Sequence, residues 1–390
     1  MSIRLGRIGA LVVLATQTTG AATLYVKPTA TGTADCSSWA NACTLPDALA
    51  IASCGDSVWV ARGIYAPFSL IDGVKIIGGF AGTETAASQS NPAANLTTVD
   101  GANNTQCVTN INDNPGGLAA YLRGFTIRNG KEADGGAGLL LQNSNAMLVQ
   151  CIFQDHAANF GAAVLIRGVG SPQFVNCIFR NNGLSAASPL ETYGGGALFI
   201  RDFGAPLFAN CLFDNNKAEE GGAILVGEGY PTFINCTFVN NQVTTSRGGA
   251  IADFEGGVTL KNSILWNNTR DPDGAGPQPA VPDQIHNAGG TTIATYCDIQ
   301  GGWPSGSGIL NLDPLFQGAL YQVAVNSPVK NAGNGVLPAD AVDLDWDNNT
   351  NEAIFRDLGL LPRVRGGVID LGAHEVFPTG GDALGGSVEK

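Results

Sequence analysis

Arginines and carboxylates gathered at one place in a repeating pattern are the set with the clearest chemical use in this chain. Arg167, then Arg201 with Asp202, then Glu228, then Asp253 with Glu255, each follow a short apolar run. A guanidinium beside a base can neutralise a sugar carboxylate while a proton is moved, which is what lyases and hydrolases of acidic polysaccharides need. Strand ends facing water carry such charges as well, so the set reads first as a solvated edge. A second candidate is Asp343, Asp345 and Asp347 followed by Asn349 and Glu352. Alternating acids converge oxygen ligands as Ca²⁺ loops do. Here Asn348 stands where such a loop needs Gly, and Glu352 comes two residues early. The stretch is either a structural calcium site or a solvated acidic loop. The third candidate is Asp155-His156, a general base held by its neighbour or a ring that stands in for an amide. His286 falls in a long loop. His374 falls in a terminal motif where Asp370, Glu375 and Arg363 or Arg365 are expected to tie down the last coil.

The nine cysteines divide in two. Cys36, Cys43, Cys54 and Cys107 lie in the irregular N-terminal part, an even number suited to an oxidising compartment, with Cys36–Cys43 as the first pairing and Cys54–Cys107 following. Cys151, Cys177, Cys211, Cys236 and Cys297 share one repeat position, with Ser263 interrupting. Side chains stacked in register lie about 4.8 Å apart and point the same way. A disulfide wants Cβ atoms nearer ~3.8 Å and facing each other. This column is expected to be buried, reduced thiol.

The elements that position these groups are repeats. Cys-Ile-Phe-Gln-Asp at 151–155 returns as Cys-Ile-Phe-Arg-Asn at 177–181, Cys-Leu-Phe-Asp-Asn at 211–215 and Cys-Thr-Phe-Val-Asn at 236–240. Gly-Ala-Ala-Val at 161–164, Gly-Gly-Ala-Leu at 195–198, Gly-Gly-Ala-Ile at 221–224 and Gly-Gly-Ala-Ile at 248–251 alternate with it. Two short apolar strands in a repeat of roughly 25 to 34 residues describe a solenoid. Five positions after the Cys position come Asn129, His156, Asn182, Asn216, Asn241 and Asn268. These spell an asparagine ladder, amides bonding along the stack at a bend. Length variation falls at one corner, in Gly183–Gly194 and Thr269–Gly289, so the long loops project from one edge. Insertions on one face of a repeat array mark its working face.

These phrases resemble polymorphic outer-membrane-protein-type repeats, whose hallmarks are Gly-Gly-Ala-(Ile/Leu/Val) and Phe-x-x-Asn. The flanks, including Gly55-Asp56-Ser57-Val58-Trp59-Val60, Leu312-Asp313-Pro314-Leu315-Phe316 and Asp370-Leu371-Gly372-Ala373-His374-Glu375, resemble secreted bacterial proteins with a choice-of-anchor Q-type C-terminal region. The resemblance implies an all-β chain, a single-stranded right-handed parallel β-helix of the pectin-lyase type. It implies little about activity, because one fold hosts many functions. The Asn-Thr-Asp, Gly-His-Gly and Arg-Ile-Lys strings that mark polygalacturonase-type hydrolases on this fold do not occur.

Processing and composition set the remaining bounds. Residues 1–22 read as a secretory signal peptide, with Arg4 and Arg7, an apolar stretch and Gly20-Ala21-Ala22 at its end. Residues 23–57 are expected to be a lead-in with a capping helix over Leu45 to Ala52, N-capped by Thr44. The β-helix is expected over 58–310, a terminal-coil region over 311–378 and a flexible tail over 379–390. A net charge of −13 argues against nucleic acid or an anionic membrane as partner. No segment after the signal peptide is long and apolar enough to span a bilayer. The expected protein is secreted or surface-associated, or periplasmic if not exported further. It binds a polysaccharide or a surface protein through the loop-bearing edge, in the manner of an adhesin. The alternatives are a polysaccharide lyase or glycoside hydrolase working at the Arg/carboxylate column and a structural surface component. Calcium is the one cofactor suggested.

Overall fold

The computed structural model describes residues 20–376 apart from 113–117, 184–192, 272–280, 336, 345, 347–348, 355 and 365–367. Three parallel sheets run the length of a right-handed β-helix: sheet A with eleven strands, sheet B with nine and sheet C with eight. A typical coil passes through Met147–Val149 in sheet A, Ile152–Gln154 in sheet B and Val164–Arg167 in sheet C. Successive coils stack like on like, because identical residue types fall at identical register. Phe153 pairs with Phe179, Phe179 with Phe213 and Phe213 with Phe238. Their rings stack face to face at 5.0, 4.7 and 4.6 Å between centroids. A second inward file, Phe174, Phe208 and Phe233, stacks beside it at 4.8 Å. Each such ring, fully buried, stabilises the fold by about 1.5–3 kcal/mol.

The thiol column lies inside the same core. Cys151, Cys177, Cys211, Cys236 and Cys297 are buried, and no disulfide joins them. Cys177 and Cys211 donate from Sγ to the Leu148 and Phe174 carbonyls of the preceding coil, both at 3.4 Å. Burial pushes the Cys297 thiol up to about 12 and raises Cys151 and Cys211 as well. Near the N-terminus Cys36 and Cys43 are disulfide-bonded. The expected Cys54–Cys107 bridge is not formed: Cys54 is exposed beside Gly73, whereas Cys107 is buried in the core, its Sγ donating to the Arg128 carbonyl. Brief treatment of the native protein with a thiol reagent should therefore label Cys54 alone, the other free thiols reacting only after denaturation. Rapid native labelling of Cys177 or Cys211, read by peptide mapping, would contradict the buried column.

The helix α1, Leu45–Ile51, begins at Thr44, whose side chain accepts from the Asp47 N–H. Leu45 and Ala48 face inward against Leu24 and Val26, closing the first coil. The solenoid starts earlier than the expected residue 58. Thr23–Val26 pairs in parallel with Ser57–Ala61 as the first strand of sheet A, its Leu24 and Val26 alternating into the core.

The larger correction concerns residues 311–376. They do not extend the stack as terminal coils; they run back along its outside. Val342, Leu344 and Ile354 cover outward Trp59, Ile77, Phe80 and Tyr121 of sheet A. Leu358, Phe316 and Tyr321 cover outward Ile178, Leu212 and Val239 of sheet B. Arg123 anchors the far end, donating to the Leu344 carbonyl at 3.2 Å and lying 4.1 Å under the Trp346 ring. The described residues of the returning segment pack on the outer faces of sheets A and B, and none of them lines the groove on sheet C.

Candidate functional site

Sheet C carries two outward-pointing rows, because alternate side chains of each strand point away from the core. The first row is Leu140, Leu165, Phe199 and Leu225, in direct register; of these only Phe199 is partly exposed, the three leucines being buried. The second holds Gln142 and Arg167, with Arg201 following the next strand. Arg167 donates from Nε to Gln142 Oε1 at 2.8 Å, and Arg201 pairs with Asp202 at 3.0 Å. Together with Phe160 and Asp134, Leu165, Phe199 and the two arginines line a groove of about 400 Å³. Phe160 is the centre of an aromatic cluster, with Phe199 at 5.4 Å and Tyr193 at 5.9 Å between centroids. Tyr193 is 47% exposed. It closes the loop inserted between sheets B and C, so the long-loop corner and the arginine column border one face from opposite sides. Residues 184–192, most of the first long loop, and 272–280, part of the second, lie outside the described residues.

The expected Arg/acid column does not hold together as one site. Asp253 ends its strand pointing inward and is fully buried. Its carboxylate accepts from Gly256 N at 3.2 Å and Thr292 Oγ1 at 2.9 Å, and burial raises its pKa. It braces the corner between sheets C and A and does not reach the groove. Glu255 is exposed and lines a different hollow with Tyr230, Thr232 and Thr259. Glu228 is half-buried and lines neither hollow. What the structure brings together is Arg167, Arg201 and Asp202, with aromatic neighbours that the column of charges did not signal.

His156 belongs to the ladder and is no surface base. It is fully buried, whereas Asp155 is exposed and bonds to Gln154, so the two do not form a dyad. Nδ1 accepts from Gly130 N at 2.9 Å and Nε2 donates to the Ile127 carbonyl at 3.0 Å. Those are an acceptor and a donor, the pair an asparagine amide supplies one coil later, where Asn182 Nδ2 reaches the Phe153 carbonyl. The rungs below repeat it through Asn216, Asn241 and Asn268, each amide donating to the next. Asn129 is not a rung: it aligns with Asp155 and bonds to Asp100, and Gly130 faces the imidazole. A ring fits here because Gly130 and Gly138 leave room. A Cβ on Gly138 would stand 2.6 Å from His156 Nε2. Burial lowers the His156 pKa to about 3.

Asp345 and Asp347 of the acidic stretch lie outside the described residues. Of its other members, Asn349 donates to the Glu352 carboxylate at 3.3 Å and accepts from Asn351 N. Among the described residues no three His, Cys, Asp or Glu side chains converge to hold a metal ion.

Arg363, Asp370, His374 and Glu375 do converge, with Asp357, but away from the last coil. Arg365 lies outside the described residues. The cluster fixes the returning segment over the middle coils: Ala373 N donates to Thr237 Oγ1 at 3.0 Å, and Asp357 presents its carbonyl to Asn176. His286, in the outward row of sheet C, stands edge-on to Phe254.

Residues 101–308 match the protein family described as right handed beta helix region. Among solved structures, a crystal structure of pectate lyase Pel9A is similar at 12% identity, covering 91% of this chain and 96% of that one, with a TM-score of 0.42. No curated protein matches the chain.

Proposed function

We propose that this chain, which belongs to the right-handed β-helix family, is an exported protein that binds glycan along the outer face of sheet C. The observation that carries the reading is the groove in which Phe160 and Phe199 form an apolar floor beside Arg167 and Arg201. Sugar rings present C–H faces to aromatic side chains and hydroxyl or acidic groups to guanidinium donors. The returning C-terminal segment packs on sheets A and B, and none of its described residues lines this groove. Binding is favoured over cleavage because Asp253, the acid expected beside Arg201, is turned into the core. Asp202, the other acid of the expected column beside Arg201, is held by Arg201 itself, which leaves Asp134 as the one acid among the described residues that line the groove. The resemblance to outer-membrane-type repeats and to anchor-Q flanks supports a surface-associated location. Among the described residues no helix is long and apolar enough to cross a membrane.

The test is retention on a panel of immobilised neutral and uronic-acid polysaccharides, followed alongside for reducing ends and unsaturated products. Retention without cleavage is expected, weakened about tenfold by Phe199→Ala or Arg201→Ala, ~1.4 kcal/mol each. Cleavage abolished by Arg201→Ala would move the protein to the enzyme class. Silence in both assays would remove the glycan reading.

A further inference from the structure

The corner between sheets A and B carries a file of side chains of which three, Asn176, Asn210 and Asn262, bind the main chain of the returning segment, while Asn235 between them makes no side-chain hydrogen bond. Gln150, Asn176, Asn210, Asn235 and Asn262 occupy equivalent left-handed positions there, with φ between 49° and 54°. Asn262 takes the Asn334 backbone at two points: its Nδ2 donates to that carbonyl and its Oδ1 accepts that N–H, both at 2.9 Å. Asn210 Nδ2 donates to the Arg356 carbonyl at 2.8 Å, and Asn176 Nδ2 donates to the Asp357 carbonyl. The returning segment therefore advances along this file, one residue per coil from Arg356 to Asp357. It then turns back: Leu360 N bonds to the Asp357 carbonyl, and Arg356 pairs antiparallel with Pro362. The turn stops one coil short of Gln150.

From the opposite direction the loop around Pro92 covers Gly124, the preceding member of the file. Between the two covers lies a cleft of about 600 Å³. Gln150 lines it, with Leu96, Ile152, Ile178 and Leu360 among its apolar walls. The Gln150 Oε1 accepts no hydrogen bond. The left-handed conformation favours Gly and Asn and is unusual for Gln. In a chain of net charge −13, no charged side chain lines this cleft among the described residues.

We propose that the cleft is a docking site for an extended, uncharged polypeptide segment of a partner protein, which continues the track the chain's own C-terminal segment vacates at Leu358–Leu360. The Gln150 amide would take one backbone N–H and one carbonyl, as Asn262 does for Asn334, and the apolar walls would take small aliphatic side chains. The site is separate from the sheet C face and does not depend on the glycan reading.

The experiment measures binding of fluorescent, N-acetylated and C-amidated uncharged peptides to the full chain, with neutral oligosaccharides as competing probes. Binding by at least one aliphatic-rich peptide is expected, weakened about tenfold by Gln150→Gly. Glycine relieves the backbone conformation, so that variant should keep the wild-type melting temperature. Ala93→Trp, a plug placed on the exposed loop, should abolish binding, and Arg201→Ala on sheet C should leave it unchanged. Binding of sugars with no binding of peptides, retention of no probe, or peptide affinity indifferent to both cleft variants would each overturn the proposal. Should Gln150→Gly fail to fold, Ala93→Trp alone decides it.

Discussion

Replacing Arg363 by methionine is expected to release the C-terminal segment from the solenoid at a cost of about 3–5 kcal/mol, the range for stripping one partner from a buried charge cluster. The side chain is fully buried and donates through Nη2 to the Asp370 and Gly372 carbonyls. Around it, Asp370 accepts from Asn331 N and Val376 N, and Asp357 accepts from Leu361 N and Glu375 N. These two carboxylates are the staples of the segment, and the guanidinium is the positive charge beside them. Methionine fills the volume but leaves both anions buried without a counter-charge. Glu375 sharpens the expectation, since burial pushes its pKa to about 8 from an ordinary 4.5. A raised acid pKa means the folded state holds the extra proton. Its contribution is therefore complete below pH 4.5 and is lost as pH rises through 8. At ~1.36 kcal/mol per pH unit the whole span is about 5 kcal/mol. Limited proteolysis followed by mass spectrometry checks this directly. The variant should be cut between 311 and 376 with the coils intact, and more readily at pH 9 than at pH 6. Glu375→Gln, which keeps an oxygen for Asp370 N, should remove that pH dependence. Equal protease resistance of Arg363→Met and wild type would show that the cluster does not hold the segment.

The coil was legible because its signal repeats. A Cys position followed by Phe two residues later, seen four times, with Asn five later in three copies and His156 in the other, dictates inward faces, stacking and a bend at once. Thr44 ahead of Leu45 and Ala48 likewise located the capping helix. The return of residues 311–376 was not legible, because nothing in it repeats. Its grip comes from single residues such as Leu344, Ile354 and Leu371, and from carbonyls that carry no sequence signature. A signal was nonetheless available on the other side of the contact. Val58-Trp59-Val60, Ile76-Ile77, Leu148-Val149 and Phe174-Val175 are apolar at consecutive positions, and a strand apolar on both faces must be covered on both. The groove on sheet C was half visible. Arg167 and Arg201 came from the charge pattern, but Asp253 was misplaced by one face, since a strand end that looks solvated can instead turn inward to bond a corner. Phe160 and Phe199 were passed over because apolar residues in a repeat read as core.

A pH titration of stability in which His156→Asn is compared with wild type should separate the two proteins most strongly below pH 6. The imidazole is buried neutral, its pKa lowered to about 3 from 6.5. The unfolded chain takes up a proton that the folded chain refuses, so the stability is complete above pH 6.5 and falls as pH drops toward 3. The full span is about 5 kcal/mol at ~1.36 kcal/mol per unit, of which about 3 kcal/mol is already lost at pH 4. Asn at this rung keeps a donor for the Ile127 carbonyl and an acceptor for Gly130 N and does not titrate. It gives up ring contacts beside Gly130 and Gly138, a cost of about 1 kcal/mol at neutral pH. The curves should therefore cross: wild type more stable at pH 7.5, the variant more stable by about 2 kcal/mol at pH 4. Asp298, raised by burial to about 6, works in the opposite sense. Its contribution is lost as pH rises from 3.8 through 6, which flattens the wild-type curve but cancels from the difference between the two proteins. Urea melts at pH 7.5, 6, 5 and 4 give that difference. Parallel curves over the whole range would mean that His156 meets its proton as easily folded as unfolded, and that it is no rung of the ladder.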